Sequence, residues 1–592
     1  MEQQALHLYW QDANRKMVAK LMSELAYEQA FELKTIPDGF SLSLESGVIY
    51  SGCGQANIWG QVVFDSTTLK REEDGHFSDI LASTFMLDIQ TQLEINDEVL
   101  AEHFEDLNAT LLGDCKLALL KQGLTANELA SMSCEQQQSL FNGHPKFAFN
   151  KGRRGWGSDD LQCYAPEAQK AFQLCWVAIE RSNVEQAIGK NLDWQDLVLS
   201  AMNSDDLKGI KQQIFSYNVD PEQYTLVPVH PWQWHKKLSL LFVRELAQKT
   251  IIYLGEYGDE FLPQLSLRTL SNVTRPNGYD IKLPLTIMNT SCYRGIPGRY
   301  ILAGPLASEW IDHVFQTDPI LLDKQAQVLQ EPAAAFVAQQ DYQQLAKAPY
   351  RYHELLGVIW RESAHSKLAH HEKSILMAAL MECDNKGNPL VAEYIQASGL
   401  SSQAWLSQLF DVVVIPFYHL LVKYGVSLIA HGQNITLVLE KHVPKRILLK
   451  DFQGDMRLID RELPEQSLLP KEVKEVTVKL PDSLIIHDLQ TGHFVTVLRF
   501  ISPLMIRLGV NEATFYSLLG QSIQRYMAEN PDLNERFTRL DLFKPRILRI
   551  GLNLAKFRHS TDGSVSRMLP DMDDQLDNPL YLVTHNKEKY DE

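Results

Sequence analysis

AHGQNITLVLEKHVPKRILLKDFQGD, residues 430–455, is the stretch whose reading carries most of the fold and most of the chemistry. An apolar run expected to be helical ends at Ala430, and a polar tetrad follows: His431, Gly432, Gln433 and Asn434. ITLVLE and RILLKDF then read as paired strands running out and back, being rich in aliphatic and β-branched residues. Asp451 stands at the end of the returning strand. Asn434 and Asp451 are therefore expected at neighbouring strand ends, where two oxygen donors suit Mg²⁺, a cation that takes few protein ligands beside phosphate oxygens. Such an ion neutralises nucleotide phosphates. A buried polar turn joining a helix to a hairpin is the plain structural alternative.

Protein kinases present a similar order of helix, polar loop, hairpin and Asp-Phe-Gly, but here Asp451-Phe452-Gln453-Gly454 carries one inserted residue. Neither a V-A-I-K strand nor a G-x-G-x-x-G loop is present, GCGQANIWG at residues 52–60 has the wrong spacing, and no P-loop occurs. If the chain uses ATP, it does so without either common phosphate-binding loop.

Working outward, QLSLRTLSN (264–272) precedes DIKLPLTIMNTSCYRG (280–295). Ser266, Arg268 and Thr269 offer two hydroxyls and a guanidinium in four residues. Lys282 is expected to begin a strand whose far end delivers Asn289, Thr290, Ser291 and Arg294. Hydroxyls and cations so grouped suit phosphate or carboxylate oxygens, which arginine grips bidentately. In GHPKFAFNKGRRGWG (143–157), Lys151, Arg153 and Arg154 crowd among glycines as a candidate anion clamp, against the alternative of a solvated basic turn. VPVHPWQWHKK (227–237) reads equally as core packing or as binding surface. His365, His370 and His371 lack an H-E-x-x-H pattern and read as surface.

The whole chain has 592 residues, 45% hydrophobic and 22% charged, with a net charge of -18. That size allows more than one core, and that charge argues against a nucleic-acid partner. Small anionic ligands then require a local basic pocket inside an acidic shell. The amino terminus lacks the basic-then-apolar pattern of a signal peptide. The apolar stretch 412–422 contains Pro416 and His419 and is short of the ~20 residues needed to span a bilayer. A cytoplasmic protein with no membrane contact is expected. Seven scattered cysteines without C-x-x-C spacing read as reduced and mostly core. The periodicities predict a mostly helical first region, 1–140, carrying a small antiparallel sheet. A mixed region, 141–340, follows and ends in a connector near 330–349, and a third region, 341–592, alternates helices with the paired strands.

Taken together, the segments resemble the NRPS-independent siderophore synthetases, the IucA/IucC-type family. GHPKFAFNKGRRG, VPVHPWQW, SLRT, KLPLTIMNTSCYRG, HGQN and KDFQGD occur in family order, and DLQTGHFVTVLRFISPLMIRLGV (488–510) and SRMLPDMDDQLDNPL (566–580) extend the likeness. The resemblance implies an α+β fold likened to a cupped hand, with thumb (1–140), fingers (141–340) and a distantly kinase-like palm (341–592). It implies an ATP- and Mg²⁺-dependent, AMP-forming ligase joining a carboxylate to an amine. Lys151, Arg153, Ser266, Arg268, Thr269, Lys282 and Gln433 are the expected ATP-binding residues, with Asn434 and Asp451 on the metal. Thr290, Arg294 and His431 are expected on the substrate carboxylates, the last two being catalytic. The expected substrates are a citryl monoamide and the amine of N6-acetyl-N6-hydroxylysine, joined to give aerobactin; a succinyl-hydroxamate substrate and, more remotely, kinase-like phosphotransfer are the alternatives. Family likeness also implies a homodimer. Two departures stand out: Phe147-Ala148 replaces a second His-Pro, and Ile429 stands where many members have Glu two residues before the motif histidine.

Overall fold

A computed structural model describes residues 2–452, 454–560, 563–564 and 574–585. Gln453 of the KDFQGD motif and residues 566–573 of the last quoted motif lie outside the described residues. The chain is α+β and builds three large apolar cores.

In the first, helices Glu2–Tyr27 and Asp97–Leu120 pack together over a five-stranded sheet, burying Met17, Leu21, Leu25, Leu107 and Leu111, which recur at helical spacing. That sheet includes Gly39–Ser43 and Ile49–Gly52, the strands legible in FSLSL and GVIYSG. The second core lines an eight-stranded, wholly antiparallel sheet. Its order is Tyr224–Val229, Phe172–Glu180, Ile251–Pro263, Thr269–Asn272, Tyr279–Lys282, Leu356–Glu362, Ala333–Val337, Glu185–Ile188. The third, and largest, surrounds helices Ser402–Tyr424 and Glu512–Glu529 and one face of a four-stranded sheet. There Ile435–Glu440 pairs with Val443–Leu449, flanked by Glu372–Leu376 and by Gln327–Val328.

Several local expectations are corrected. The segment at 330–349 is no connector: Ala333–Val337 is a fully buried inner strand, so the eight-stranded sheet runs across residue 340 to Glu362. Three alanines lack β propensity, and burial between two neighbouring strands overrides it. Lys282 ends a strand rather than beginning one, because Pro284 cannot donate to the ladder and Leu285–Asn289 departs into a separate hairpin with Cys292–Arg294. The apolar helix stops at Tyr424, capped by left-handed Gly425, and a short strand, Val426–Leu428, intervenes before His431. Of the cysteines, Cys115, Cys134 and Cys175 are buried, while Cys53 is exposed. Helix Ser402–Tyr424 is long and apolar enough to cross a membrane, but most of it is buried within the third core.

Candidate active site

One cleft collects polar turns of five of the quoted motifs, GHPKFAFNKGRRG, SLRT, KLPLTIMNTSCYRG, HGQN and KDFQGD. Its space, mouth included, is about 1000 Å³. Lys151, Arg153, Ser266, Arg268, Thr269, Lys282, Thr290, Arg294, His431, Gln433, Asn434 and Asp451 all line it, so every site residue expected from sequence is brought to one place. Five lysines and arginines face two carboxylates there, Asp451 and Asp455, a basic pocket in a chain of net charge -18.

The hairpin of the opening motif contributes one wall. Ile435 pairs with Leu449, so Asn434 and Asp451 emerge at adjacent strand ends. The HGQN loop is tight: the Asn434 backbone N–H donates to the His431 carbonyl at 3.0 Å, and the Ala378 N–H donates to the Gly432 carbonyl at 2.9 Å. A Cβ on Gly432 would stand 3.0 Å from Met381 and 3.2 Å from Ala378, so a larger residue there would push the loop and that segment apart by a few tenths of an ångström. The Gln433 N–H donates to Nδ1 of His431 at 3.2 Å. A ring that accepts at Nδ1 and is neutral carries its proton on Nε2. Burial is the main cause that lowers the His431 pKa, and Asp455 and Asp451 oppose it. His144, whose ring centroid lies 6.5 Å away, is held still lower by burial and by His431 itself.

Asp451 is the electrostatic centre. Both Lys282 and Arg361 reach its Oδ1, and Arg361 also binds Glu331, with Nη2 at 2.6 Å. Burial disfavours the Asp451 anion, but Arg361, then Lys282 and Lys450, overcome it and hold the carboxyl well below its usual range. The backbone of Asp451 is left-handed, with φ of 68°. Arg153, Leu267 and Thr290 share positive φ at 48°, 68° and 60°. For β-branched Thr290 that conformation is costly, and such strain collects at functional sites. Asn434 commits its Nδ2 to Asp455 at 3.1 Å and to the Ile429 carbonyl, which leaves the amide oxygen as its acceptor end. That oxygen, with the carboxylates of Asp451 and Asp455, forms the hard-donor set that fits Mg²⁺.

The opposite wall comes from the eight-stranded sheet and the hairpin. The Thr269 N–H donates to Ser266 Oγ at 3.3 Å, closing the SLRT turn, and Arg268 donates to the Gly295 carbonyl. Arg294 donates to the Asn289 carbonyl at 2.8 Å and to the Thr290 hydroxyl. Gln233, fully buried, anchors this hairpin, accepting from the Thr286 N–H at 2.9 Å and donating to the Leu355 carbonyl. The Trp-rich motif is thus core: Trp232 and Trp234 are buried and Gln233 positions the site. Lys151 and Arg153 line the cleft with their charges partnered, Lys151 by Asp114 at 2.7 Å and Arg153 bidentately by Glu167 at 2.8 and 2.9 Å. His365 pairs with Glu135 and His371 with Glu440, away from the cleft.

Sequence reasoning missed Arg361, Glu331, Asp455 and His144. Asp455 and His144 stand inside quoted motifs. Arg361 sits in the apolar run LGVIWRE, and an arginine inside a buried strand is the signal that marked it.

Residues 132–382 match the model described as IucA / IucC family, and residues 403–564 match one described as ferric iron reductase FhuF-like transporter. The chain is 61% identical to aerobactin synthase of Vibrio mimicus, over 98% of both chains. It belongs to the IucA/IucC family. It is also 48% identical to aerobactin synthase of Escherichia coli, covering 98% of this chain and all of that one. Among solved structures, aerobactin synthetase IucC from Klebsiella pneumoniae superposes with a TM-score of 0.88 at 46% identity, over 98% of this chain and 100% of that one. The fold is therefore that of the siderophore synthetases of this family, and the chain is a siderophore synthetase.

Proposed function

We propose that the chain completes aerobactin: it activates the carboxylate of a citryl monoamide with ATP and passes the acyl group to the amine of N6-acetyl-N6-hydroxylysine. The observation that carries this reading is the single basic cleft in which phosphate-type donors, a hard-cation donor set and a neutral histidine beside Arg294 converge. Likeness to two aerobactin synthases over nearly the full chain supports the choice of product.

A carboxylate resists attack by an amine because its leaving group would be oxide. In the proposed first step a carboxylate oxygen attacks the α-phosphorus of ATP and the bond to the β-phosphate oxygen breaks, releasing pyrophosphate. Ser266, Arg268, Thr269 and Lys282 bind the phosphates, with Lys151, Arg153 and Gln433 completing the wall. Asn434, Asp451 and Asp455 would hold Mg²⁺, which supplies neutralisation of phosphate charge when bound. Thr290 and Arg294 bind the substrate carboxylates, and His431 offers them its Nε2–H as a neutral donor. In the second step the amine nitrogen attacks the acyl carbon, the bond to AMP breaks and the amine loses a proton. His431, already protonated at Nε2 and with Nδ1 occupied, does not accept that proton. Free amine is therefore needed, and because an α-amine is still largely protonated at neutral pH, turnover rises between pH ~7 and ~9. A reaction that consumes ATP fits a cytoplasmic location.

Mass spectrometry of products from ATP, Mg²⁺, N6-acetyl-N6-hydroxylysine and citryl monoamide tests the reading. Aerobactin with AMP and pyrophosphate is expected. ADP as the nucleotide product points to phosphotransfer, and turnover only with a succinyl hydroxamate reassigns the acyl substrate.

A further inference from the structure

A second and larger cavity adjoins the cleft, and no step above uses it. Its space, open mouth included, is about 2700 Å³. Helices Glu2–Tyr27 and Asp97–Leu120 line one side, and the segments 383–387 and 503–507 line the other. Only a thin wall separates it from the cleft. Asn150 lines both spaces. Lys151 lines the cleft, while its ammonium binds Asp114 at 2.7 Å and the Asn142 carbonyl at 2.6 Å, both on the larger cavity.

Lys20 stands at that wall. Its Nζ donates to the backbone carbonyl of His144 at 3.3 Å, behind the ring that faces His431. Among the described residues no carboxylate lies in ion-pair contact with Lys20, in contrast to its neighbours Lys16, Lys121 and Lys151, which pair with Asp12, Glu382 and Asp114. Burial lowers the Lys20 pKa to about 8, with Asp114 opposing, so the group is still mostly cationic at neutral pH. A half-buried ammonium with no carboxylate in direct contact, at the junction of two cavities, is placed to take a charge-assisted contact from an anion outside the chain.

We infer that the larger cavity docks the amine substrate, an α-amino acid with a long polar side chain, with its carboxylate on Lys20 and its amine directed past Asn150 into the cleft. The carboxylate lies one carbon from the nucleophilic nitrogen, so a cation just behind the wall fixes the end that reacts. The remaining length of the chain runs along the cavity toward Ala118. This assignment rests on the amine-transfer reading given above.

Two assays separate the inference from that reading. Pyrophosphate release with hydroxylamine as acyl acceptor needs no docked amino acid, whereas amide formation does. Lys20→Met should raise KM for N6-acetyl-N6-hydroxylysine about tenfold or more, the loss of one charge-assisted contact, while the hydroxylamine-trapped rate stays as in the wild type. The analogue without the α-carboxylate, N-(5-aminopentyl)-N-hydroxyacetamide, should be used equally by both proteins, and Lys20→Arg should keep the wild-type preference. Ala118→Phe, which narrows the cavity without removing the Lys20 charge, should raise KM for both amines and decides the matter if Lys20→Met does not fold. An unchanged amine KM in Lys20→Met, or an equal fall in the trapped rate, overturns the docking assignment. If the wild type releases no pyrophosphate at all, the adenylation reading fails instead. Calorimetric titration of the amine into wild type and Lys20→Met then still tests docking, and equal affinities overturn it.

Discussion

Asp451 and Asp106 are each gripped by two cations, yet one is part of a site and the other part of the scaffold. Asp106, in the middle of helix Asp97–Leu120, takes Arg154 Nε on Oδ1 at 3.2 Å and Lys556 Nζ on Oδ2 at 2.6 Å. Its side chain is 2% exposed, and a Cβ on Gly152 would stand 2.3 Å from Oδ1, so the basic turn closes directly over it. Glu102 also reaches Arg154, at 3.2 Å, and balances the second cation. Asp451 sits instead on a strained turn at a strand end, its side chain 14% exposed to a cleft in which basic groups outnumber acids. A carboxylate between two cations is therefore no mark of function by itself. What distinguishes the site is access from the cleft and a left-handed backbone at the strand end.

The largest expected effect breaks the open cluster. Asp451→Asn should reduce pyrophosphate release with hydroxylamine to background, because the amide coordinates Mg²⁺ without bringing charge. The fold should survive, since Arg361 keeps Glu331 and the cleft admits water. Circular dichroism matching the wild type together with lost adenylation is the expected pair; near-normal release at physiological Mg²⁺ makes Asp451 structural. The converse change, Asp106→Asn, leaves buried cations uncompensated and should cost about 3–5 kcal/mol of stability. Denaturant midpoints measure it, and substrate KM values of the remaining folded protein should not move.

How far the sequence distinguished these clusters follows from where their residues stand. The cleft residues lie in short polar turns at strand ends, His431 to Asn434 or Ser266 to Thr269, where side-chain chemistry interrupts apolar periodicity and is visible locally. Arg361 lies within an apolar strand, and only the register that sets Asp280 opposite Arg361, and Lys282 opposite Ile359, brings it to Asp451. That register spans some eighty residues of chain and leaves no local trace. The scaffold cluster was equally hidden: Arg154 stands in a motif read as an anion clamp, while Asp106, which it grips, and Lys556, which shares that carboxylate, come from distant helices. The α+β fold of the family was legible through the order of motifs, whereas the strand at Ala333–Val337 was not, since small residues fit helix, coil or a crowded sheet alike.

A smaller effect separates substrate binding from folding within the cleft. Arg294→Ala should lower kcat/KM for the acyl substrate by the equivalent of about 2–5 kcal/mol, through loss of a charged contact to a carboxylate. ATP affinity, measured by equilibrium titration, should stay near that of the wild type. Equal loss for ATP with none for the acyl substrate moves Arg294 to the phosphate site.

The smallest effect belongs to the closed cluster and appears only in acid. His103 lies one turn before Asp106, its ring 4.8 Å from Phe557 and 6.0 Å from Phe149. Burial, then the charge of Lys556, lowers its pKa to about 3. An unfolded histidine binds its proton near pH ~6.5. Above that value neither state binds the proton and His103 contributes no pH dependence. Below it the unfolded chain gains a proton that the folded chain refuses, so stability falls progressively toward about pH 3. The loss amounts to ~1 kcal/mol at pH ~6 and ~2 kcal/mol at pH ~5. His103→Phe places a third phenyl ring in the cluster and removes that titration. Its stability at pH ~7.5 should lie within ~1 kcal/mol of the wild type, while denaturant midpoints at pH ~5 should favour the variant by ~2 kcal/mol. Parallel acid profiles for the two proteins would show that the protonation of His103 is accommodated in the folded cluster, which then is not as closed as its geometry makes it.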